Sequence, residues 1–184
     1  MADALLARPV LQLQHNDSFI GAGIYAIYYI GNFPAYKPIA DKNKNNKFTA
    51  PIYIGKAVPA GARKGGLGLD APSGNVLFKR LSEHADSIKS TKNLKISDFY
   101  CRHLVVDDIW IPLGESLLIE MFTPPWNKII DGFGNHDPGS GRYNQQRSPW
   151  DQLHPGRPWA EKLKANNKSE KDFLKELDVL LKNH

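Results

Sequence analysis

Apolar positions along the chain fall into short runs whose internal spacing alternates between that of strands and that of helices. Between Gly21 and Lys56, two segments rich in Ile and Tyr predict strands, because aromatic and β-branched residues suit a pleated, half-buried surface. The stretch between them, KPIADKNKNNKFTA, is too polar and too rich in Asn and Lys for core, and predicts a long loop joining two neighbouring antiparallel strands. Each strand carries a Tyr beside Gly, as Gly23-Ile24-Tyr25 and Tyr53-Ile54-Gly55. Pairing would bring two phenols to one place, with the glycines leaving room for a close approach to the backbone. An ordinary hairpin with half-buried tyrosines and solvated hydroxyls is the plainer alternative.

Residues 75–90, NVLFKRLSEHADSIKS, predict a helix with Asn75 as N-cap and Leu77, Leu81, Ala85 and Ile88 as its core stripe. Arg80 and His84, four residues apart, share a second face beside that stripe. Residues 98–107 alternate as a third strand. Residues 114–122 predict another helix, with Leu117, Leu118 and Met121 inward and Glu115 in the first turn, where a carboxylate also compensates the helix dipole. Pro124 and Pro125 stop that helix, and residues 126–130 follow as a short extended piece. From Asp131 to Trp159 apolar periodicity fades, leaving a surface excursion rich in Gly, Asn, Gln, Arg and aromatic rings. A last helix begins at a capping box of Ser169 and Asp172 and carries Phe173, Leu177, Leu180 and Leu181 on one side, packed on the core or on a partner chain.

This pattern predicts an α/β (α+β) fold: a sheet of about three antiparallel strands flanked by helices. A single domain spans 1–184, with an N-terminal arm (1–20), a core (21–130) and a C-terminal region (131–184). The apolar fraction of 41% can support a buried core, and the net charge of +5 favours a polyanionic partner. A single Cys101 excludes an internal disulfide, argues against a multi-Cys zinc module and suits a reducing cytoplasm. No apolar run is long enough to span a membrane, and the N-terminus lacks the build of a signal peptide.

The ordered set Gly-Ile-Tyr, Tyr-Ile-Gly, Arg-xxx-His on a helix, Glu at a helix start and a following Asn resembles the GIY-YIG nuclease family over about residues 21–130. YIGKAVPAG, the Glu-to-PPWN spacing, DGFGNHDPGSGR and HPGRPWAEK further resemble the type II restriction endonucleases of this family that cut the palindrome CCGCGG. The resemblance implies hydrolysis of phosphodiester bonds in double-stranded DNA, with Tyr25, Tyr53, Lys56, Arg80, His84, Glu115 and Asn127 as the catalytic set. Glu115 would hold one divalent metal, Mg²⁺ or Mn²⁺. Arg80 would stabilise charge on the phosphate. Tyr25 is the general base that the resemblance implies, and Lys56 the nearby cation that could favour its anion. His84 can take the proton directly or relay it. Tyr53 would orient the phosphate or water, and Asn127 would brace Glu115 or the backbone.

Since the sequence carries no zinc spacing and no obvious helix-turn-helix segment, the donor-rich excursion is the candidate sequence reader, and Arg reads guanine edges. Its candidates are Asn135, His136, Arg142, Gln145, Arg147 and Arg157, while Lys42, Lys44, Lys47, Arg63 and Lys64 would touch phosphates. A palindromic target calls for a homodimer, with the arm, the long loop or the last helix as interface. A cognate DNA methyltransferase in a bacterial cytoplasm is the implied functional partner. The rival readings are a structure-specific repair nuclease of the same family, a catalytically silent nucleic-acid-binding domain, and a basic α/β protein that binds RNA.

Overall fold

Strands β1 (Leu11–Gln12), β2 (Gly23–Tyr29), β3 (Pro51–Ala57) and β4 (Phe99–Val105) form one antiparallel sheet in the order β1-β4-β2-β3. The computed structural model describes residues 1–14, 17–59 and 74–182. Among the described residues, seven helices accompany the sheet: α1 (Ala2–Leu6), α2 (Lys37–Asn43), α3 (Val76–Ser90), α4 (Ile111–Phe122), α5 (Pro125–Lys128), α6 (Pro149–Leu153) and α7 (Glu170–Lys182). None of them is long and apolar enough to cross a membrane.

Every residue of β2 is buried, because the strand is central and both faces are covered. Side chains alternate across the sheet. Tyr25, Ile27 and Tyr29 therefore join Leu77, Leu81, Ala85 and Ile88 of α3 on one face, and Ile24, Ala26 and Tyr28 join Leu5 of α1 and Ile111 and Leu118 of α4 on the other. The four-residue stripe expected on α3 is thus the stripe that packs. Asn75 stands at its N-cap position but makes no side-chain capping bond.

Among the described residues the sheet has four strands rather than about three. Leu11 and Gln12, in the segment read as an arm, pair with Cys101 and Tyr100. A two-residue strand is too short to leave an alternating signature.

The segment between the tyrosine strands is not simply a loop. Residues 34–36 form a 3₁₀ turn that runs into α2, and Ile39, Ala40, Asn43 and Phe48 are buried. Asn43 explains how so polar a stretch can pack. Its amide donates to the carbonyls of Tyr29 and Ala50 and accepts from the Ala50 N–H, replacing water at the ends of β2 and β3.

Helix α4 begins at Ile111, with Pro112 in its first turn. Glu115 therefore lies beyond the first turn, and dipole compensation does not account for it. Leu118 points inward, whereas Leu117 and Met121 are 57% and 64% exposed, against expectation. With Ile111 fixing the phase of the helix, positions 113, 117 and 121 face outward.

Of residues 126–130, expected to be extended, the first three belong to helix α5, where Pro125 supplies a preset φ in the first turn. The excursion is also less superficial than its composition suggests. Phe133, Trp150 and Leu153 enter the main core. Helix α7 carries the expected Ser169–Asp172 capping box and packs Phe173 and Leu177 on the same core, with Leu181 partly buried beside them. The packing alternative for this helix is the one observed.

Candidate active site

The β2–β3 register sets Tyr25 opposite Gly55 and Ile27 opposite Tyr53. Tyr25 and Tyr53 are therefore diagonal neighbours on one face, with ring centroids 6.3 Å apart. A side chain at Gly55 would collide with the Tyr25 hydroxyl and the Tyr53 ring, and one at Gly23 with the Leu104 carbonyl. The space left by these glycines is taken by the protein's own groups rather than left open for a ligand.

Helix α3 crosses the same face and brings in His84. Its Nε2 lies 2.6 Å from the Tyr25 hydroxyl. Burial holds the Tyr25 phenol well above its usual pKa, the Tyr53 phenol adding to the effect, while the Arg80 charge pulls the other way. Burial, reinforced by the Arg80 charge, holds His84 well below its usual pKa. At neutral pH the phenol is therefore protonated and the imidazole neutral, and in the Nδ1–H tautomer of His84 the phenol donates to Nε2. Tyr53 is likewise raised by burial.

Arg80, one turn earlier on α3, uses Nη2 to donate to the Gly134 carbonyl (2.7 Å). Its Nη1 donates to His136 Nε2 (2.6 Å) and to Glu83 Oε2 (2.9 Å).

Strand β3 lies at the edge of the sheet, so side chains from its two faces reach round to one place. Lys56 projects to the α4 side and pairs with Glu115 at 2.6 Å. Tyr53, Lys56, Arg80, Asp108, Glu115 and His136 line one cleft of about 670 Å³. Tyr25 and His84 lie beneath its floor, fully buried. Six of the seven residues named as the catalytic set, Tyr25, Tyr53, Lys56, Arg80, His84 and Glu115, thus meet at this cleft or directly beneath it.

Asn127 serves differently. Its Oδ1 accepts from the Ile54 N–H and its Nδ2 donates to the Ile54 carbonyl, each at 2.8 Å. It stands in for a missing neighbour strand at the edge of β3 and fixes the strand that carries Tyr53, Gly55 and Lys56. Of its two expected tasks, bracing the backbone is the one observed.

Among the described residues, no group of three or more His, Cys, Asp or Glu could cage a metal. Glu115 offers one carboxylate with an 18% exposed side chain, and Asp108 lines the same cleft. An oxygen-only site that leaves most positions to water fits Mg²⁺ or Mn²⁺ and does not fit zinc.

The predicted base readers divide. Asn135, His136, Arg142, Gln145 and Arg147 line a second, strongly polar cleft of about 620 Å³. His136 belongs to both clefts. Arg147 reaches it with part of its fork only, since Nε and Nη2 donate to the Ala160 and Glu161 carbonyls.

Arg157 is not available to DNA. It is 3% exposed, paired with Asp151 at 2.7 Å and bonded to three backbone carbonyls. The sequence signal of Arg in a polar, Gly/Pro-rich stretch does not separate a reader from an internal strut. Lys42, Lys44 and Lys47 are exposed, Lys44 pairing with Asp41, whereas Arg63 and Lys64 lie outside the described residues.

Periodicity missed Phe133 altogether. Its ring stacks on His84 at 4.4 Å and meets Tyr53 edge-on at 5.0 Å. Only its place in the DGFGNHD segment hinted at a role.

Compared with known proteins, the chain matches the family model described as the Eco29kI GIY-YIG domain over residues 17–181. A search of curated proteins finds no match.

Proposed function

The chain belongs to the Eco29kI GIY-YIG family of nucleases, and on that premise we propose that it is a type II restriction endonuclease that hydrolyses both strands of double-stranded DNA at CCGCGG. The observation that carries this reading is the meeting of Tyr25–His84, Arg80 and Glu115 at one cleft on the edge of the sheet. A repair nuclease or a silent binding domain would not require the polar second cleft, which joins the first at His136 and supplies donors for base edges.

The protein's own groups divide the work as follows. Tyr25 accepts the proton of the attacking water as it passes its own proton to His84 Nε2 across the 2.6 Å bond. The relay spares a buried phenolate, and the imidazolium formed in its place, which burial disfavours in the free protein, gains the negative charge of the bound phosphate as a partner. In the free protein the Tyr25 oxygen is covered, and Tyr53 and Arg80 are the cleft-lining side chains that act on it. Arg80, held through Nη2 on the Gly134 carbonyl, offers the remaining N–H groups of its planar fork to the developing charge on the scissile phosphate. Tyr53 orients the phosphate. Glu115, now paired with Lys56, is the residue that would hold a divalent cation. When bound, that cation supplies Lewis acidity at the phosphate and the leaving 3′ oxygen.

A two-fold site calls for a homodimer. Leu113, Leu117 and Met121 are exposed at every fourth position of α4, so the stripe is symmetric about Leu117, and two antiparallel copies would cover one another. We assign the interface to this stripe, which was not among the three segments expected from sequence. A DNA methyltransferase of the same specificity, protecting host DNA in the bacterial cytoplasm, is the functional partner of this reading.

Digestion of plasmid DNA in Mg²⁺ with mapping of the fragment ends tests the proposal. Discrete ends within CCGCGG support it. Nicks confined to branched DNA, or intact DNA, would replace it with the repair or binding reading.

A further inference from the structure

Arg157 is heavily bonded although it stands outside the cleft, and three of its four hydrogen bonds converge on the segment that touches the catalytic groups. Its Nη2 donates to the Gly132 carbonyl (2.9 Å), and its Nη1 to the carbonyls of Phe133 and Asn135 (both 3.1 Å). Its Nε is paired with Asp151, which also accepts from Ser148. The guanidinium carbon lies 4.5 Å from the Trp150 ring centre and 4.7 Å from that of Trp159. Two rings, a carboxylate and three carbonyls fix the group in place.

The other side of the 132–136 loop meets the site. Phe133 packs on His84 and Tyr53, the Gly134 carbonyl receives Arg80 Nη2, and His136 receives Arg80 Nη1. A side chain at Gly134 would crowd both the Tyr53 hydroxyl and Arg80 Nη2. The loop has no strand or helix to hold these positions, and a carbonyl 2.7 Å from Arg80 aligns it only if the carbonyl itself is fixed.

We infer that Arg157 is a positioning residue of the nuclease: through the carbonyls of residues 132, 133 and 135 it sets the loop that aims Arg80 at the scissile phosphate. The inference rests on the reading of Arg80 as the phosphate-binding group. Arg157 itself touches neither substrate nor the cleft. Lys in its place keeps the charge but cannot span three carbonyls and a carboxylate.

The test is a double-mutant cycle on single-turnover cleavage of a CCGCGG duplex, comparing wild type, Arg157→Lys, Arg80→Ala and the double variant. Arg157→Lys is expected to slow cleavage by about 10²-fold, the scale of a displacement near 1 Å at a catalytic group. DNA affinity, measured without Mg²⁺, should stay within about 3-fold of wild type, because the transition state rather than binding is affected. In the Arg80→Ala background the same substitution should cost less than about 3-fold, since its route of action is gone.

Equal losses in both backgrounds, or no loss in the first, would overturn the inference. If Arg80→Ala cleaves as wild type, the reading of Arg80 fails instead, and the two failures are distinct. Should Arg157→Lys fail to fold, Asp151→Asn, which keeps an acceptor for Nε but removes the charge that anchors Arg157, takes its place with the same pattern required. Should Arg80→Ala be too slow to measure, Arg80→Lys serves as the background.

Discussion

Replacing Asn127 by Asp changes one amide nitrogen to oxygen and tests how β3 is held. The Asn side chain is the only isostere that matches both Ile54 groups, because it must accept from an N–H and donate to a carbonyl. An ionised carboxylate at this position keeps the first bond and sets a second acceptor against the Ile54 carbonyl. Losing the donated bond and leaving that carbonyl unpaired beside a carboxylate should cost about 3 kcal/mol, near the upper end for a partly buried polar group. The sign with pH is fixed. The introduced carboxyl can donate to the carbonyl once protonated, so its folded-state pKa is raised above the unfolded value of about 4. Its contribution is then present at low pH and is lost as pH rises through the folded pKa. Urea unfolding of both proteins at pH 7 and pH 4.5 should give a stability gap that narrows at the lower pH. A gap that is absent at pH 7, or that widens on acidification, would refute the clamp. Cleavage by the variant should fall as well, because Tyr53 and Lys56 ride on the strand that Ile54 anchors.

Three further outcomes follow from the same geometry. Glu115→Ala should abolish Mg²⁺-supported cleavage while leaving DNA binding near wild type, and near-normal cleavage would show that the acidic anchor lies elsewhere. His154 is buried against Tyr36 and Asn93, and burial pushes its pKa down to about 3; a depressed folded value means stability that is complete above about pH 6.5 and is lost on acidification, by about 3 kcal/mol at pH 4.5. His154→Gln should flatten the slope of unfolding free energy between those pH values, and an unchanged slope would count against this. On the proposed α4 interface, the wild type should sediment as a dimer and Leu117→Glu as a monomer, and a variant that remains dimeric would move the interface off α4.

The parts of this molecule that were readable from sequence share a cause: their side chains follow the period of their own element. The Ile/Tyr alternation of β2 and the α3 stripe needed nothing beyond local spacing, and four-residue spacing placed Arg80 and His84 on one side of a helix. That Tyr25 and His84 belong to one site came from the family resemblance, while their hydrogen bond, between residues 59 positions apart, had no local signal. What failed locally was polar groups used as packing. Asn43 ties two strand ends, Asn127 replaces a strand, and Arg157 supports a loop, and each looks in sequence like a solvated or ligand-binding residue. The phase of α4 was misjudged because Pro112 admits a start at Ile111, three residues before the Gly114 taken as its beginning, so Leu117 and Met121 turn outward. Phe133 has no periodic neighbours to mark it, although it touches both His84 and Tyr53.

On this mechanism the buried Tyr25–His84 pair activates water at a phosphate held by Arg80 and by the divalent cation that Glu115 would carry. Single-turnover cleavage of a CCGCGG duplex by Tyr25→Phe tests it most directly, because the change removes one oxygen atom and leaves the ring in place. A loss of at least about 10³-fold is expected, within the range for a positioned general base, with DNA affinity unchanged. Cleavage by Tyr25→Phe at the wild-type rate would contradict it.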